Sequence, residues 1–242
     1  MNNLQVLATR QIGDTFVPSS ILEKYYELNK KSERAGKWWD LKEEQLWKEL
    51  CFCILSANVS FELAKSVIGK LSDLDMLNHE WIIEEKTSEF VLFNFLDAPN
   101  FEPVKKNGGL RRYRYPKMKS TQMVKAAKQL YSNNSIREIL NAFDSDVEAR
   151  NFFYTEISGL GIKEASHFLR NIGFASSLAI IDIHVLDFLK QFSLVDFSVG
   201  SSLTLKQYLL LEKTLNNLAE YHGLDLSIFD LAIWQCMKND NV

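Results

Sequence analysis

The feature that most constrains this chain is a pair of glycines, Gly159 and Gly161, set between two helical patterns. One pattern runs from Val147 to Ile157, and the other continues to Gly173. Glycine permits positive φ angles and lets the backbone approach a neighbouring group closely. The sequence therefore predicts two short helices joined by a tight turn. The unpaired N–H groups at the start of the second helix favour an anion such as a phosphate.

Composition limits the class of protein. The 242 residues can bury a sizeable core as one large or two small lobes, and the net charge of −3 gives no overall basic field that points to nucleic acid. Three cysteines in apolar helical patterns are typical of reduced core residues, and their number rules out a four-cysteine iron–sulfur cluster. Without a signal-peptide pattern or a long apolar run, we expect a cytoplasmic protein with no part in the membrane.

Helical patterns dominate the rest of the chain, and no alternating strand pattern is convincing. Asp40 with Glu43 predicts an N-cap and capping box, and Asp182 predicts the N-cap of a helix through Gln191. Other predicted helices are Ile21 to Lys30, Thr121 to Leu130, Ile136 to Ala142, Leu205 to Tyr221 with Leu209, Leu211, Leu215 and Leu218 inside, and about Ser227 to Lys238. The predicted fold is all-α.

The densest basic run lies between Leu110 and Lys119 and holds three arginines, two lysines and two tyrosines. Such a run is usually a solvated face. Basic residues mixed with aromatic ones also suit a surface that follows a nucleic-acid backbone. Both interpretations stay open at this stage.

Lys163 follows the second glycine of the turn by two residues, and Asp182 and His184 form an Asp-x-His motif nineteen residues after Lys163. This arrangement resembles the helix-hairpin-helix glycosylase/lyase superfamily. The stretch Gly-Leu-Gly-Ile-Lys-Glu-Ala-Ser-His-Phe-Leu-Arg-Asn-Ile-Gly is similar to the archaeal-type 8-oxoguanine DNA glycosylase/AP lyase family. The blocks at residues 50–58 and 113–126 agree, and the resemblance covers roughly residues 43–238.

The resemblance implies two helical lobes, one formed by residues 40–176 and ending in the hairpin, the other by residues 1–39 with 177–242. It implies a bifunctional enzyme of base excision repair that removes 8-oxoguanine from double-stranded DNA. We expect a monomer that needs no cofactor or catalytic metal, although hairpin carbonyls could hold a monovalent cation.

By this resemblance Lys163 is the nucleophile. A primary amine can displace the base at C1′ and hold the sugar as a Schiff base, after which β-elimination cuts the strand. Asp182 would stabilise positive charge on the sugar or accept the proton of the amine. The alternative for Asp182 is a helix cap alone, and the two roles are compatible.

The remaining site residues are assigned largely by resemblance, and several of them have a structural alternative. Gly159, Gly161 and His184 would bind the DNA backbone, and Asn58 would fill the gap left by the extruded base. Asn58 can equally be a turn residue, and His184 a partly buried histidine with its polar atoms satisfied.

The base pocket would use three side chains. His167 follows Lys163 by four residues, so the two share a helix face, and its ring could stack on the flipped base or bond its edge. Asp230 and Trp234 would supply an acceptor and a stacking surface. Packing between helices is the alternative for His167 and Trp234. The opposite face of the His167 helix carries Ala165, Phe168, Leu169 and Ile172 and is expected in the core.

The C-terminus departs from the family pattern. Members of the archaeal-type family commonly end in a lysine whose terminal carboxylate takes part in recognising the oxidised guanine. This chain continues from Lys238 to Val242, so Lys238 has no terminal carboxylate to present. Two alternatives therefore stay open: the same chemistry on another oxidised base, such as a pyrimidine, or a non-catalytic DNA-binding module. Lys163 and Asp182 together argue against the module, because phosphate binding by backbone amides requires neither.

Overall fold

The fold is all-α, as the sequence predicts. A computed structural model describes residues 17–32, 37–195 and 203–240, and within these ranges there are twelve α-helices, one 3₁₀ helix (Trp38–Asp40) and no β-strand beyond an isolated bridge between Phe101 and Arg111. None of these helices is both long and apolar enough to cross a membrane. The α-helices are α1 (Ser19–Ser32), α2 (Glu43–Ser56), α3 (Phe61–Asp73), α4 (His79–Glu84), α5 (Ser88–Asp97), α6 (Pro116–Tyr131), α7 (Ile136–Asn141), α8 (Asp146–Glu156), α9 (Ile162–Asn171), α10 (Ile183–Gln191), α11 (Leu205–Tyr221) and α12 (Leu226–Asp240).

Helix α2 is the centre of a compact unit formed by Lys37–Ile172. Helices α3, α6, α7 and α9 pack against it. All six side chains from Leu50 to Leu55 are buried, so α2 is covered on several faces rather than on one stripe. The hairpin helix α9 thus packs against a largely buried helix of its unit.

The start of α2 corrects one expectation. Asp40 is not its N-cap, because Asp40 belongs to the 3₁₀ helix that precedes it. The cap is Lys42, whose backbone N–H donates to Oε1 of Gln45 at 2.8 Å. The sequence pattern placed the cap two residues too early.

The carboxylate of Glu43 has a different role from the one the capping-box pattern predicts. Its oxygens accept hydrogen bonds from the backbone N–H groups of Ile136 at 2.7 Å and Arg137 at 3.3 Å. These are among the unpaired donors at the start of α7. Glu43 therefore caps another helix, far away in sequence, and ties α7 to α2.

The second compact unit consists of the described residues before Lys37 and after Ile172. Helices α1, α10 and α11 pack against α12. The predicted burial of Leu211, Leu215 and Leu218 is confirmed, but Leu209 is 40% exposed and its predicted burial is wrong. A separation of two residues turns a helix by about 200°, so Leu209 points away from Leu211.

Candidate active site

The double-glycine turn joins α8 to α9, and any residue other than glycine would be strained at its first glycine. Gly159 has a φ angle of +93°. A Cβ atom added there would lie 3.0 Å from Cβ of Gln122 and 3.1 Å from Cγ2 of Ile54. Both the backbone conformation and the close approach to α2 and α6 require glycine. The turn therefore rests directly on the core of its unit.

Gly161 is the N-cap of α9 and has an ordinary extended conformation with φ of −79°. Here the close neighbour is a carboxylate, because an added Cβ would lie 2.7 Å from Oε2 of Glu164. Glu164 stands in the first turn of α9, where negative charge complements the helix dipole. The end of the helix that the sequence assigns to a phosphate thus already carries a negative charge of the chain itself, which sequence analysis missed.

Lys163 stands beside this carboxylate. Its Nζ atom lies 3.9 Å from Oε1 of Glu164, and the two side chains are 27% and 15% exposed. Close to them is Cys53, a fully buried residue of α2 whose thiol pKa is raised well above its usual range by burial, while the charge of Lys163 acts in the opposite direction. A protonated, buried thiol is a poor nucleophile. The amine of Lys163, with 27% of its side chain exposed, is the more accessible of these two groups.

Lys119 is the second lysine of this neighbourhood and is only 2% exposed. Burial lowers the pKa of its ammonium group, and the charge of Glu164 opposes that shift. Sequence analysis placed Lys119 at the end of the basic run, for which a solvated face and a nucleic-acid surface both stayed open, and neither interpretation predicted its burial. The signal for burial was its spacing of four residues from Met123, which is fully buried on the same helix face.

His167 packs against α2, with its ring centroid 5.9 Å from that of Phe52 in an edge arrangement. Burial first, and then the charges of Lys163 and Arg170, lower the pKa of His167 to about 3, so the ring is neutral at pH 7. Its Nδ1 atom is buried and has no hydrogen-bond partner among the described residues. The ring edge therefore has capacity for one more polar contact. The core-facing side of α9 is confirmed, with Ala165, Phe168, Leu169 and Ile172 all buried.

Asn58 lies in the turn between α2 and α3 with a φ angle of +60°, a left-handed conformation that asparagine tolerates better than most residues. Its side chain is exposed. Nη1 of Arg114 donates a hydrogen bond to the backbone oxygen of Asn58 at 3.3 Å. The structure thus brings the Asn58 turn and the basic run together.

The basic run is not one solvated face. Tyr113 is buried, and its hydroxyl donates to the backbone oxygen of Leu55 at 2.7 Å. Arg112, Arg114 and Lys117 remain exposed. The buried tyrosine anchors the segment, and the charges that could meet a nucleic-acid backbone are the three exposed ones.

Asp182 is the N-cap of α10, as predicted. Its Oδ1 atom accepts hydrogen bonds from the backbone N–H groups of His184 at 2.9 Å and Val185 at 3.0 Å. Both bonds use the same oxygen, which fixes the orientation of the carboxylate. The cap reading and a catalytic role are therefore compatible in this geometry.

His184 and Trp234 are neighbours in the second unit. Their ring centroids lie 6.4 Å apart, edge to face, and Nδ1 of His184 is buried without a hydrogen-bond partner among the described residues. The ammonium group of Lys238 lies 4.9 Å from the centroid of the Trp234 ring, a cation–π distance. Lys238 thus contacts the predicted base-stacking residue through its side chain, and Val242 lies outside the described residues.

Asp230 is 2% exposed, and its Oδ2 atom accepts a hydrogen bond from the backbone N–H of Ile180 at 2.6 Å. Ile180 precedes Asp182 by two residues. A structural contact of this kind was not anticipated from the sequence.

The predicted site residues fall into two groups. Asn58, Gly159, Gly161, Lys163 and His167 belong to the unit Lys37–Ile172. The other unit holds Asp182, His184, Asp230 and Trp234. No cluster of three or more histidine, cysteine, aspartate or glutamate side chains suited to a metal ion occurs in the described part of the chain.

Comparisons with known proteins show the family to which this chain belongs. A family model described as 8-oxoguanine DNA glycosylase matches residues 97–224. The 8-oxoguanine DNA glycosylase/AP lyase of Metallosphaera sedula is 34% identical, with 92% of this chain and 93% of the relative covered, and that of Methanocaldococcus jannaschii is 32% identical, with 86% and 87% covered. The crystal structure of the M. jannaschii 8-oxoguanine glycosylase/lyase in complex with a 15mer DNA containing 8-oxoguanine is similar to this chain with a TM-score of 0.66 and 27% identity, covering 96% and 97% of the two chains.

Proposed function

The chain belongs to the 8-oxoguanine DNA glycosylase family, and from this membership we propose that it excises 8-oxoguanine from double-stranded DNA and then cleaves the strand as an AP lyase. Its relatives in Metallosphaera sedula and Methanocaldococcus jannaschii carry both activities in their names. The work of such an enzyme is the first step of base excision repair.

The observation that carries the proposal is the placement of Lys163. It stands on the first turn of α9, next to a glycine turn that the core of its unit holds in place, and its side chain is 27% exposed. The neighbouring Cys53 is buried, and its raised thiol pKa removes it as a competing nucleophile. An amine is also the group that allows one residue to serve both activities.

In the proposed reaction, the neutral amine of Lys163 attacks C1′ of the damaged nucleotide, and the bond from C1′ to the base breaks with its electrons going to the base. Ring opening of the sugar gives an iminium ion, the protonated Schiff base. Loss of the acidified C2′ proton then expels the 3′ phosphate, which cuts the strand. Hydrolysis of the imine releases Lys163 for another turnover.

Asp182 supplies the negative charge in this scheme. It stabilises the positive charge that develops on the sugar, or it accepts the proton that the amine must lose. Because Oδ1 already accepts two backbone hydrogen bonds, the carboxylate is held in one orientation before substrate binds. Preorganised charge of this kind is worth more than a mobile side chain.

DNA binding is proposed for the turn at Gly159 and Gly161 and for His184, each against a phosphate. Asn58 fills the gap that the extruded base leaves. Arg114 belongs to the same neighbourhood, because it donates a hydrogen bond to the backbone oxygen of Asn58. The exposed charges of the basic run would follow the backbone nearby.

For the base pocket we propose His167, Asp230 and Trp234. The unpaired, buried Nδ1 atom of His167 has capacity for a hydrogen bond to the edge of a base, and the aromatic face of Trp234 can stack on it. The reaction requires no organic cofactor or catalytic metal, because the amine and the carboxylate supply its chemistry. We also propose that the protein is a monomer and acts in the cytoplasm, where the DNA is. The hairpin carbonyls could hold a monovalent cation.

The lesion itself is tested by single-turnover cleavage of matched duplexes that carry 8-oxoguanine, an oxidised pyrimidine, an abasic site or no damage. We expect 8-oxoguanine to be excised fastest, the abasic site to be cleaved, and undamaged DNA to persist.

A second candidate is excision of another oxidised base by the same chemistry. The observation that favours it concerns Lys238. This residue contacts Trp234 through its side chain, and because the chain continues past it, it has no terminal carboxylate. Faster excision of the oxidised pyrimidine would establish this alternative. Binding of all four duplexes without any cleavage would instead show a DNA-binding module.

A further inference from the structure

Residues 179–181 lead into Asp182, and we call them the link. Side chains, rather than secondary structure, hold the link in place. The backbone N–H of Ala179 donates to Oε1 of Glu212 at 3.0 Å, and that of Ile180 donates to Oδ2 of Asp230 at 2.6 Å. The backbone N–H of Ile181 donates to the hydroxyl oxygen of Tyr208 at 3.4 Å. Three consecutive backbone donors are therefore satisfied by three side chains of α11 and α12.

The hydroxyl of Tyr208 is both a donor and an acceptor of hydrogen bonds to the link. Its hydroxyl also donates to the backbone oxygen of Ala179 at 2.7 Å, so a single phenol bonds two residues of the link. The ring is 1% exposed. A hydroxyl in this position can only be replaced by another group that both donates and accepts.

We propose that Tyr208, with Glu212 and Asp230, forms a clamp that positions the carboxylate of Asp182 for the reaction. We call these three side chains the link clamp. Tyr208 and Glu212 are positioning residues in this scheme. The inference rests on the proposed function, since it explains how one of the proposed catalytic groups is placed.

The link clamp reaches Asp182 through the backbone. The N–H of Asp182 donates to the backbone oxygen of Ile180 at 2.9 Å, which makes a tight turn between the clamped residues and the cap. The carboxylate is then fixed on its other side by the N–H groups at the start of α10. Movement of the link by a fraction of an ångström therefore moves both the cap and the charge.

Burial explains why the side chains are needed. Ala179 is fully buried and Ile181 is 3% exposed, so water cannot replace a missing partner for their polar backbone groups. An unpaired backbone group in such a place is costly, and the segment would shift until the group is satisfied. Removal of the hydrogen-bonding group of Tyr208 or Glu212 should change the position of Asp182 without changing any residue that is proposed to touch DNA.

The test compares Tyr208→Phe with Tyr221→Phe, which is the same chemical change on the same helix at a residue that is 60% exposed. Excision of 8-oxoguanine is followed under single turnover with enzyme in excess, and the dissociation constant for the same duplex is measured separately. A purely structural role would reduce the fraction of active enzyme but not the rate constant of the molecules that react.

We expect the rate constant of Tyr208→Phe to fall about 10- to 100-fold, the range that a displacement of about 1 Å can cause, with the dissociation constant retained. Tyr221→Phe keeps the wild-type rate constant. An unchanged rate constant for Tyr208→Phe, or an equal loss in both variants, would overturn the proposal.

A second pair keeps the test decisive if Tyr208→Phe does not fold. Glu212→Gln retains an oxygen that can accept from Ala179, and Glu212→Leu does not. We expect Glu212→Gln to react about tenfold faster than Glu212→Leu, consistent with partial recovery of the position of Asp182. Equal rate constants for this pair contradict the clamp. A wild type that neither excises 8-oxoguanine nor cleaves an abasic site would contradict the proposed function as well, whereas an active wild type with insensitive variants contradicts the clamp alone.

Discussion

The amine of Lys163 and the carboxylate of Glu164 lie 3.9 Å apart on the first turn of the hairpin helix α9. The same carboxylate lies so close to Gly161 that a Cβ atom there would be 2.7 Å from it. The negative charge therefore lies beside both the proposed nucleophile and the end of the helix that is proposed to approach a phosphate. These two demands act in opposite directions, because an ammonium ion is attracted to the carboxylate and a phosphate is repelled.

Replacing Glu164 by glutamine should strengthen the binding of undamaged duplex DNA. Removal of one charge about 6 Å from a phosphate is worth about 0.7 kcal/mol in water, or about a threefold lower dissociation constant. The measurement is a titration at several salt concentrations, and the gain should shrink as salt rises. Weaker binding by Glu164→Gln would show that the carboxylate supports the hairpin more than it repels DNA.

Replacing Gly159 by alanine should destabilise the protein and weaken DNA binding. The φ angle of +93° and contacts near 3.0 Å with Gln122 and Ile54 leave no relaxed position for a methyl group. We expect a loss of about 1–3 kcal/mol in the free energy of unfolding. The matched control is Gly69→Ala inside α3, where no atom lies within 4 Å of the new Cβ and alanine favours the helix. Equal effects of the two changes would contradict the strained turn.

The folded protein should lose stability below pH 6.5 partly through His167. Its pKa is lowered to about 3 in the folded state and is about 6.5 in an unfolded chain. Between these pH values His167 binds a proton in the unfolded chain but not in the folded one. The free energy of unfolding therefore decreases as the pH falls, by up to about 1.4 kcal/mol per pH unit from this residue. His167→Gln should show a shallower decline in urea unfolding from pH 6.5 downward and run parallel to the wild type above pH 7.5. Parallel curves throughout would mean that the ring titrates normally.

Two substitutions at Asp182 separate its cap from its charge. Asp182→Asn keeps an oxygen that can accept from His184 and Val185, so its thermal stability should stay close to the wild type. Asp182→Ala removes the cap as well and should cost about 1 kcal/mol more. Both should slow excision at least about 100-fold if the charge acts in the reaction. An Asp182→Asn enzyme with the wild-type excision rate would leave Asp182 as a cap alone.

The elements that local sequence determines were predicted well. The glycine turn, the Asp182 cap and the helix Leu205–Tyr221 all depend on residues close in sequence, and the structure has each of them. The family resemblance is confirmed by comparisons that cover most of the chain. The site residues were assigned from this resemblance, and they remain hypotheses.

The features that were missed depend on contacts between residues far apart in sequence. The capping-box pattern assigned Glu43 to its own helix, whereas its carboxylate meets N–H groups more than ninety residues away. The burial of Lys119 depends on what packs over α6. The link clamp joins Ala179 to Glu212, thirty-three residues apart. Periodicity and caps carry no information about such pairs, since these are set by tertiary packing.

The central claim is that Lys163 forms a covalent intermediate with the damaged strand. The most direct measurement is borohydride trapping on a duplex that carries 8-oxoguanine, with Lys163→Gln and, as a matched control, Lys125→Gln at an exposed lysine of α6. We predict a covalent protein–DNA adduct for the wild type and for Lys125→Gln, and none for Lys163→Gln. An adduct of undiminished yield with Lys163→Gln would contradict the account, because another amine would then be the nucleophile.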